Sequence, residues 1–273
     1  MAVVVDQAES LRYRTELQGY LDRIVSVGGV FCCQAARVCR ASVRAGHGLA
    51  EGQLSYVGDG YAIQDAGTDL RVLVVSMQVG DAEAPVTMSR RREQVRVRIP
   101  QQPKDRNPHM RSVTYALQLL FGMEGGGPNE CLDDGTHVLD AYAMANSTLC
   151  SNLPTAGVSR RGQPTPTMLQ QCGEHLRRTV EILRPTIIHT QGRQRRGAST
   201  HSAFEAIVDR TTWVSEWNAF VQVGGVQAVW CSLPHPSAGP PQAWQWPASS
   251  FFIEVAAPSL LEARRLGLDA TFD

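Results

Sequence analysis

The chain has 273 residues, with 26 basic and 26 acidic side chains and a formal net charge of zero. That balance argues against a broad electrostatic coat for nucleic acid, and an apolar fraction of 43% is ordinary for a globular core. No apolar run reaches the length of a membrane span, and the opening 1-MAVVVDQAES-10 has no basic start of an export signal. The expectation is a cytoplasmic, monomeric protein with no membrane partner. Seven cysteines in such a chain predict no disulfides, which leaves metal binding, catalysis or burial for the thiols.

In chain order, residues 7–40 read as helical, with Leu11, Leu17, Leu21, Ile24 and Val25 near helical spacing and Gly28 and Gly29 as an interruption. The run 71-RVLVVSM-77 suits a strand buried on both faces. Residues 112–122 predict a helix with Ser112 as its N-cap, and 138-VLDAYAMAN-146 a second strand. Residues 167–184 form an amphipathic helix, with Thr165 or Thr167 as the cap and Pro185 as the stop. Two more strands follow at 186-TIIHTQG-192 and 226-VQAVWCSL-233, a helix is expected between them over 200–221, and a last helix over 258–267. Strands alternating with helices predict an α/β domain with a mainly parallel sheet. No linker divides it, so residues 1–273 are expected to form a single domain, with 1–30 as an N-terminal helical extension.

In such sheets ligands gather at the carboxyl ends of the strands. Those ends carry 76-SMQVGD-81, 146-NSTLC-150, 190-TQGR-193 and 234-PHPSAG-239. The last sets a titratable ring, His235, between two prolines that restrict its backbone. Charge is clustered despite the neutral total. Arg90, Arg91, Arg92, Arg96, Arg98, Lys104, Arg106 and Arg111 face only Glu93 and Asp105 in their segment, and Arg193, Arg195 and Arg196 form a second group. Arginine is the better bidentate phosphate ligand.

Four segments in this order resemble the uracil-DNA glycosylase superfamily. They are 76-SMQVGD-81, 143-AMANSTLC-150, 164-PTPTMLQQCGEHLRRTVEILRPTIIHTQGR-193 and 235-HPSA-238, and the likeness spans roughly residues 30–255. The third is similar to the iron–sulfur (family 4) branch. The resemblance implies a three-layer α/β/α sandwich around a central, mainly parallel four-stranded sheet. It implies a monofunctional enzyme that extrudes a pyrimidine nucleotide from DNA, double- or single-stranded, and cuts its N-glycosidic bond. The cut leaves negative charge on the departing base, which a donor near its O2 stabilises as an oxyanion hole does. That donor is expected to be His235. Asn146, offering a donor and an acceptor together, is expected to read the base.

The first motif departs from the family pattern. Gln78 stands where relatives carry the acid that positions the attacking water, and Asp81 is the nearest substitute. Gly80 takes the place of the tyrosine that excludes 5-substituted pyrimidines in the best-known branch, so a bulkier base is expected to fit, and a role in defence against phage with modified DNA is as open as base-excision repair. His109 replaces the base-stacking phenylalanine, with Asn107 and Arg106 beside it as base or phosphate contacts. Arg90, Arg91 and Arg193 are expected at phosphates, with Ser237. Pro240, Pro241, Gln242 or Trp244 is expected to wedge into the duplex. Cys150 and Cys172 fall where the iron–sulfur branch places two ligands, and Cys39 with Cys33, or with Cys32, would complete the set for a [4Fe–4S] cluster. Cys131 and Cys231 read as structural. Two rival readings are a binding module that has lost catalysis with its missing acid, and a hydrolase of free nucleosides.

Overall fold

A computed structural model of the chain describes residues 3–28, 30–52, 54–77, 87–154, 164–193 and 199–269. Its main sheet has seven strands: β1 (Tyr56–Val57), β2 (Val72–Ser76), β3 (Ala143–Asn146), β4 (Ile187–Gln191), β5 (Arg210–Trp213), β6 (Asn218–Val223) and β7 (Val226–Leu233). Their spatial order is β5-β6-β7-β4-β2-β3-β1. The four strands expected from the sequence lie side by side as β7, β4, β2 and β3, all parallel. The expectation of a four-stranded sheet is corrected by three antiparallel additions, β5 and β6 on one side and β1 on the other. β2 and β4 are buried at every residue; β2 accordingly reads as an apolar run up to Ser76, while β4 is apolar only at Ile187 and Ile188.

Seven helices are described: α1 (Gln7–Ile24), α2 (Ala36–Ala41), α3 (Met88–Arg96), α4 (Pro108–Leu120), α5 (Pro166–Leu183), α6 (Thr200–Glu205) and α7 (Ala257–Asp269). Because strand side chains alternate, the sheet feeds two cores. Val72, Val74, Ile187, Val229 and Cys231 pack with α4 and α7 on one face. Leu73, Val75, Ile188, Ala228 and Trp230 pack with α1, α5 and α6 on the other. Helices therefore cover both faces. α1 is no mere extension, since Tyr13, Leu17 and Leu21 belong to the second core.

Local chemistry sets the boundaries. After α1 the chain turns through Gly28, at φ +58°, between short strands at 26–27 and 30–31, so the expected helix over 7–40 is broken there. Asn107, not Ser112, caps α4: its Oδ1 accepts the Met110 N–H at 2.9 Å and Pro108 occupies the first turn. Thr165 caps α5 through the Met168 N–H at 3.2 Å, and Arg184 ends that helix in the left-handed conformation. Of the helix expected over 200–221, only α6 forms; the rest is the β5–β6 hairpin.

Several arginines of the first cluster hold the fold together. Arg106 has no exposed side-chain surface, and it donates to Arg98 O, Ile99 O, Gln101 O, Thr114 and Glu130. Its expected contact with DNA is corrected accordingly. Arg106→Met is expected to destabilise the protein by about 3–5 kcal/mol, because Glu130 and several carbonyls lose their partner; urea denaturation would measure it. Asp59 collects Arg14, Arg92 and Arg96 beyond the end of β1.

Candidate functional site

The period of two that builds the cores also builds a polar site. On the face shared by Val72, Val74, Ile187 and Cys231, each strand exchanges its last apolar residues for polar ones. β2 ends in Ser76, β3 in Asn146, β4 in His189 and Gln191, and β7 leads through Leu233 to His235. Ser76 and Asn146 are register partners at the ends of β2 and β3. The N-terminus of α4 meets this face. His109, in its first turn, lies 3.2 Å from Ser76 Oγ through Nε2. Its ring is nearly parallel to that of His235, with centroids 6.4 Å apart and planes 17° apart. The positive end of the α4 dipole is thus directed at the same space.

His235 is held in one tautomer. The Ser237 backbone N–H donates to its Nδ1 at 3.2 Å, and the Ser237 hydroxyl stands 2.9 Å from the same nitrogen. With Nδ1 accepting, the neutral ring carries its proton on Nε2. Trp244 fixes the loop from below: it is fully buried, and its Nε1 donates to Pro234 O at 2.8 Å. That burial removes Trp244 from the set of residues expected to enter the duplex. Pro240 stays exposed and Gln242 half-buried on the same loop.

Burial lowers the His109 pKa to about 3, with the neighbouring charges of His235, His189 and Arg91 adding to the effect and a contact from Gln191 opposing it. Burial likewise brings His189 to about 4, offset in part by its contact with Cys231 O at 3.2 Å. Both rings are neutral near pH 7, so they offer hydrogen bonds without adding positive charge to the site. A depressed histidine pKa gives stability that is present above the unfolded value of 6.5 and is lost as pH falls toward 4. His189, fully buried, is expected to account for a loss on the order of 3 kcal/mol over that window. Urea midpoints at the two pH limits would show it, and His189→Gln should make the slope shallower.

The remaining expected residues divide. Gln78, Gly80 and Asp81 lie outside the described residues. Asn107 serves as the α4 cap. Arg91 is buried, donates to Leu54 O and Gln94, and has its pKa lowered to about 10 by burial, which corrects its expected place at a phosphate. α3 carries Arg92 and Arg96 to Asp59, while Arg90 on the same helix is exposed. Arg193 follows β4 on the rim of the site, where its backbone N–H donates to Leu233 O at 2.9 Å. Sequence reading passed over Ser76, His189 and Gln191. The signal was present in 186-TIIHTQG-192, where a histidine and a glutamine two apart must share a strand face.

A second site lies behind the Asn146 loop. Cys39 and Cys150 are buried against Met168, and Cys172 is buried on α5. Cys33, Cys39, Cys150 and Cys172 are within electrostatic reach of one another: Cys33 raises the pKa of Cys39, both raise that of Cys172, and all three raise that of Cys150. Burial is the larger cause and pushes Cys172 up to about 12. Cys33 is half-buried and coupled to the other three thiols, while Cys32 is exposed. Backbone N–H groups already point at two of the sulfurs, from Ala35 and Ala36 to Cys33 and from Leu149 to Cys172 at 3.3 Å. His175 stands 3.5 Å from Cys33 through Nε2 and 2.8 Å from the Tyr20 hydroxyl through Nδ1. Among the described residues no three His, Cys, Asp or Glu groups are set to hold a metal ion. A cubane differs from an ion in this respect: each cysteine binds a separate iron, so the sulfurs stand further apart than the edge of about 3.8 Å of a zinc–thiolate tetrahedron. Four cysteines match such a group in ligand type and number, and two of them, Cys33 and Cys172, already accept from backbone N–H groups.

Among the described residues no helix is long and apolar enough to cross a membrane. No protein-family model matches the chain, and no curated protein matches it.

Proposed function

We propose that the protein is a DNA glycosylase of uracil-DNA glycosylase-like fold. It extrudes a pyrimidine nucleotide, binds the base at the strand ends, and hydrolyses the N-glycosidic bond. The observation that carries this reading is the convergence of His235, with its proton on Nε2, on the face that holds Asn146 and His109. Leaving-group stabilisation needs a neutral donor fixed before the reaction. A flipped pyrimidine needs a stacking ring and a paired donor and acceptor.

In this reaction the C1′–N1 bond breaks and the electron pair leaves with the base. His235 Nε2–H donates to the developing negative charge at O2, with Ser237 holding the ring in place. Asn146 pairs with the base edge, and the neutral His109 covers its face. Water adds its hydroxyl to C1′ and its other proton neutralises the base anion, which gives free base and an abasic site. The base is uracil or a 5-substituted pyrimidine, and the setting is base-excision repair or defence against modified phage DNA.

The four thiols would hold a [4Fe–4S] cluster, which would act as a structural tie with no step in the cleavage. Cys150 follows Asn146 by four residues, so the tie would fix the loop that reads the base.

The test is a panel of single- and double-stranded oligonucleotides carrying uracil, thymine, or 5-hydroxymethyl or glucosylated cytosine, assayed for alkali-labile breaks. Breaks at one of these bases are expected. Binding to every substrate without a break on any would leave a binding module instead, and turnover of free nucleosides alone would make it a nucleoside hydrolase.

A further inference from the structure

The β5–β6 hairpin gives the site rim an aromatic feature that the proposed pocket does not use. Its tip, residues 214–217, is level with the carboxyl end of β7: Asn218 is the register partner of Cys231, and the Ser232 N–H donates to Trp217 O at 2.8 Å. Arg193 leaves β4 on the same rim. Its guanidinium is 5.3 Å from the Trp213 ring centre and 5.0 Å from that of Trp217. It also donates to Glu216 O. One cation therefore stands against two indoles, beside the strand that leads to His235.

Trp213 is held from beneath. Its ring lies 5.3 Å from Trp230 and 6.2 Å from His201, which itself stacks on Trp230 at 4.7 Å. Ser232 Oγ in turn sits 2.7 Å from His201 Nδ1. Even so, 42% of Trp213 is open to solvent, in a strand whose four residues are all exposed. A hairpin that needed only to close its own core would turn that indole inward. A rigid, half-open indole with a cation beside it meets the requirements of base stacking, which is sequence-tolerant because every base has a π-face.

We propose that Trp213, with Arg193 and Trp217, forms a shelf for an unpaired nucleobase of the DNA strand next to the extruded nucleotide. Trp213 stacks on the base, and Arg193 places its charge at the adjoining phosphate. The occupant is single-stranded DNA, as indicated by the positive charge of Arg193 and by its place two residues beyond Gln191, which ends β4 at the His235 site; the Trp213 indole itself lies on the other face of the sheet, with Trp230. The inference rests on the proposed action on DNA. It adds a preference for unpaired neighbours that is indifferent to their sequence.

The test uses the full chain and fluorescence anisotropy with two single-stranded oligonucleotides of equal length, one normal and one with abasic sugars flanking the target. Trp213→Ala is expected to weaken binding of the normal strand about tenfold. Trp213→Phe should retain most of the affinity, and Arg193→Gln should weaken binding less than Trp213→Ala does. On the abasic strand, wild type and Trp213→Ala should bind alike. Equal affinities of wild type and Trp213→Ala for the normal strand would overturn the shelf, as would an equal loss on both strands. If Trp213→Ala does not fold, Trp213→Phe and Arg193→Gln compared on the two strands decide in its place. Excision at full rate with unchanged binding refutes the shelf alone. Binding that depends on Trp213 without excision of any base from single- or double-stranded DNA refutes the glycosylase reading alone, and no binding to either single strand refutes the shelf while excision from duplex decides the glycosylase reading.

Discussion

Replacing His235 by alanine is expected to slow base release by a factor on the order of 10²–10³ and to leave DNA affinity nearly unchanged. The size follows from its place in the reaction. A donor aimed at charge that develops only in the transition state stabilises that state more than the bound substrate. The ring meets this condition because Ser237 occupies Nδ1 through a backbone N–H, so Nε2 keeps its proton without external help. Ser237→Ala removes the hydroxyl contact and keeps the N–H, so its effect should be several-fold only. Single-turnover measurement of abasic product, beside a binding isotherm, separates the two contributions. Equal rates for His235→Ala and wild type would remove His235 from the chemistry.

Serine at Cys150 or Cys172 should have the second large effect. Each variant is expected to lose iron and its visible absorption, and to unfold at lower temperature by several kcal/mol of stability. Both thiols are buried, and burial alone keeps them protonated. Binding iron as thiolates therefore requires the metal charge to offset that desolvation, and removal of one ligand leaves the others near each other with no cation. Cys32→Ser and Cys131→Ser, at exposed positions, should retain the full iron content. Cys33→Ser should not, which decides between the two adjacent cysteines. Iron-free wild-type protein, purified without oxygen, would be evidence against the cluster.

Much of the frame was legible because buried parallel strands announce themselves. Val72–Ser76 is an apolar run, Ile187–Gln191 opens with two isoleucines after an amphipathic helix stopped by Pro185, and both occupy the middle of the sheet. The hairpin was read as helix because β5 is an edge strand exposed at all four residues, so it shows no alternation of polar and apolar positions. β1 has two residues, too few for any pattern. Arg106 misled for a different reason. A sequence states that a guanidinium is present, while only the fold shows that all three of its nitrogens meet carbonyls, Thr114 or Glu130. His235 and Asn146 stood out by their place at strand ends. Ser76 and Gln191 did not, being small or neutral polar residues whose role depends on which strands become neighbours.

The fate of the arginines has a consequence for how the protein would meet its substrate. Arg14, Arg92 and Arg96 converge on Asp59, Arg106 on Glu130, Arg177 on Asp209 and Arg264 on Asp65. Cations already neutralised inside the protein displace few counterions from a phosphate backbone, and each phosphate contact contributes about 0.9 to the slope of log affinity against log salt. These arginines would therefore add little to the salt dependence of an association with DNA, which would fall to basic groups outside such pairs, Arg193 on the rim among them.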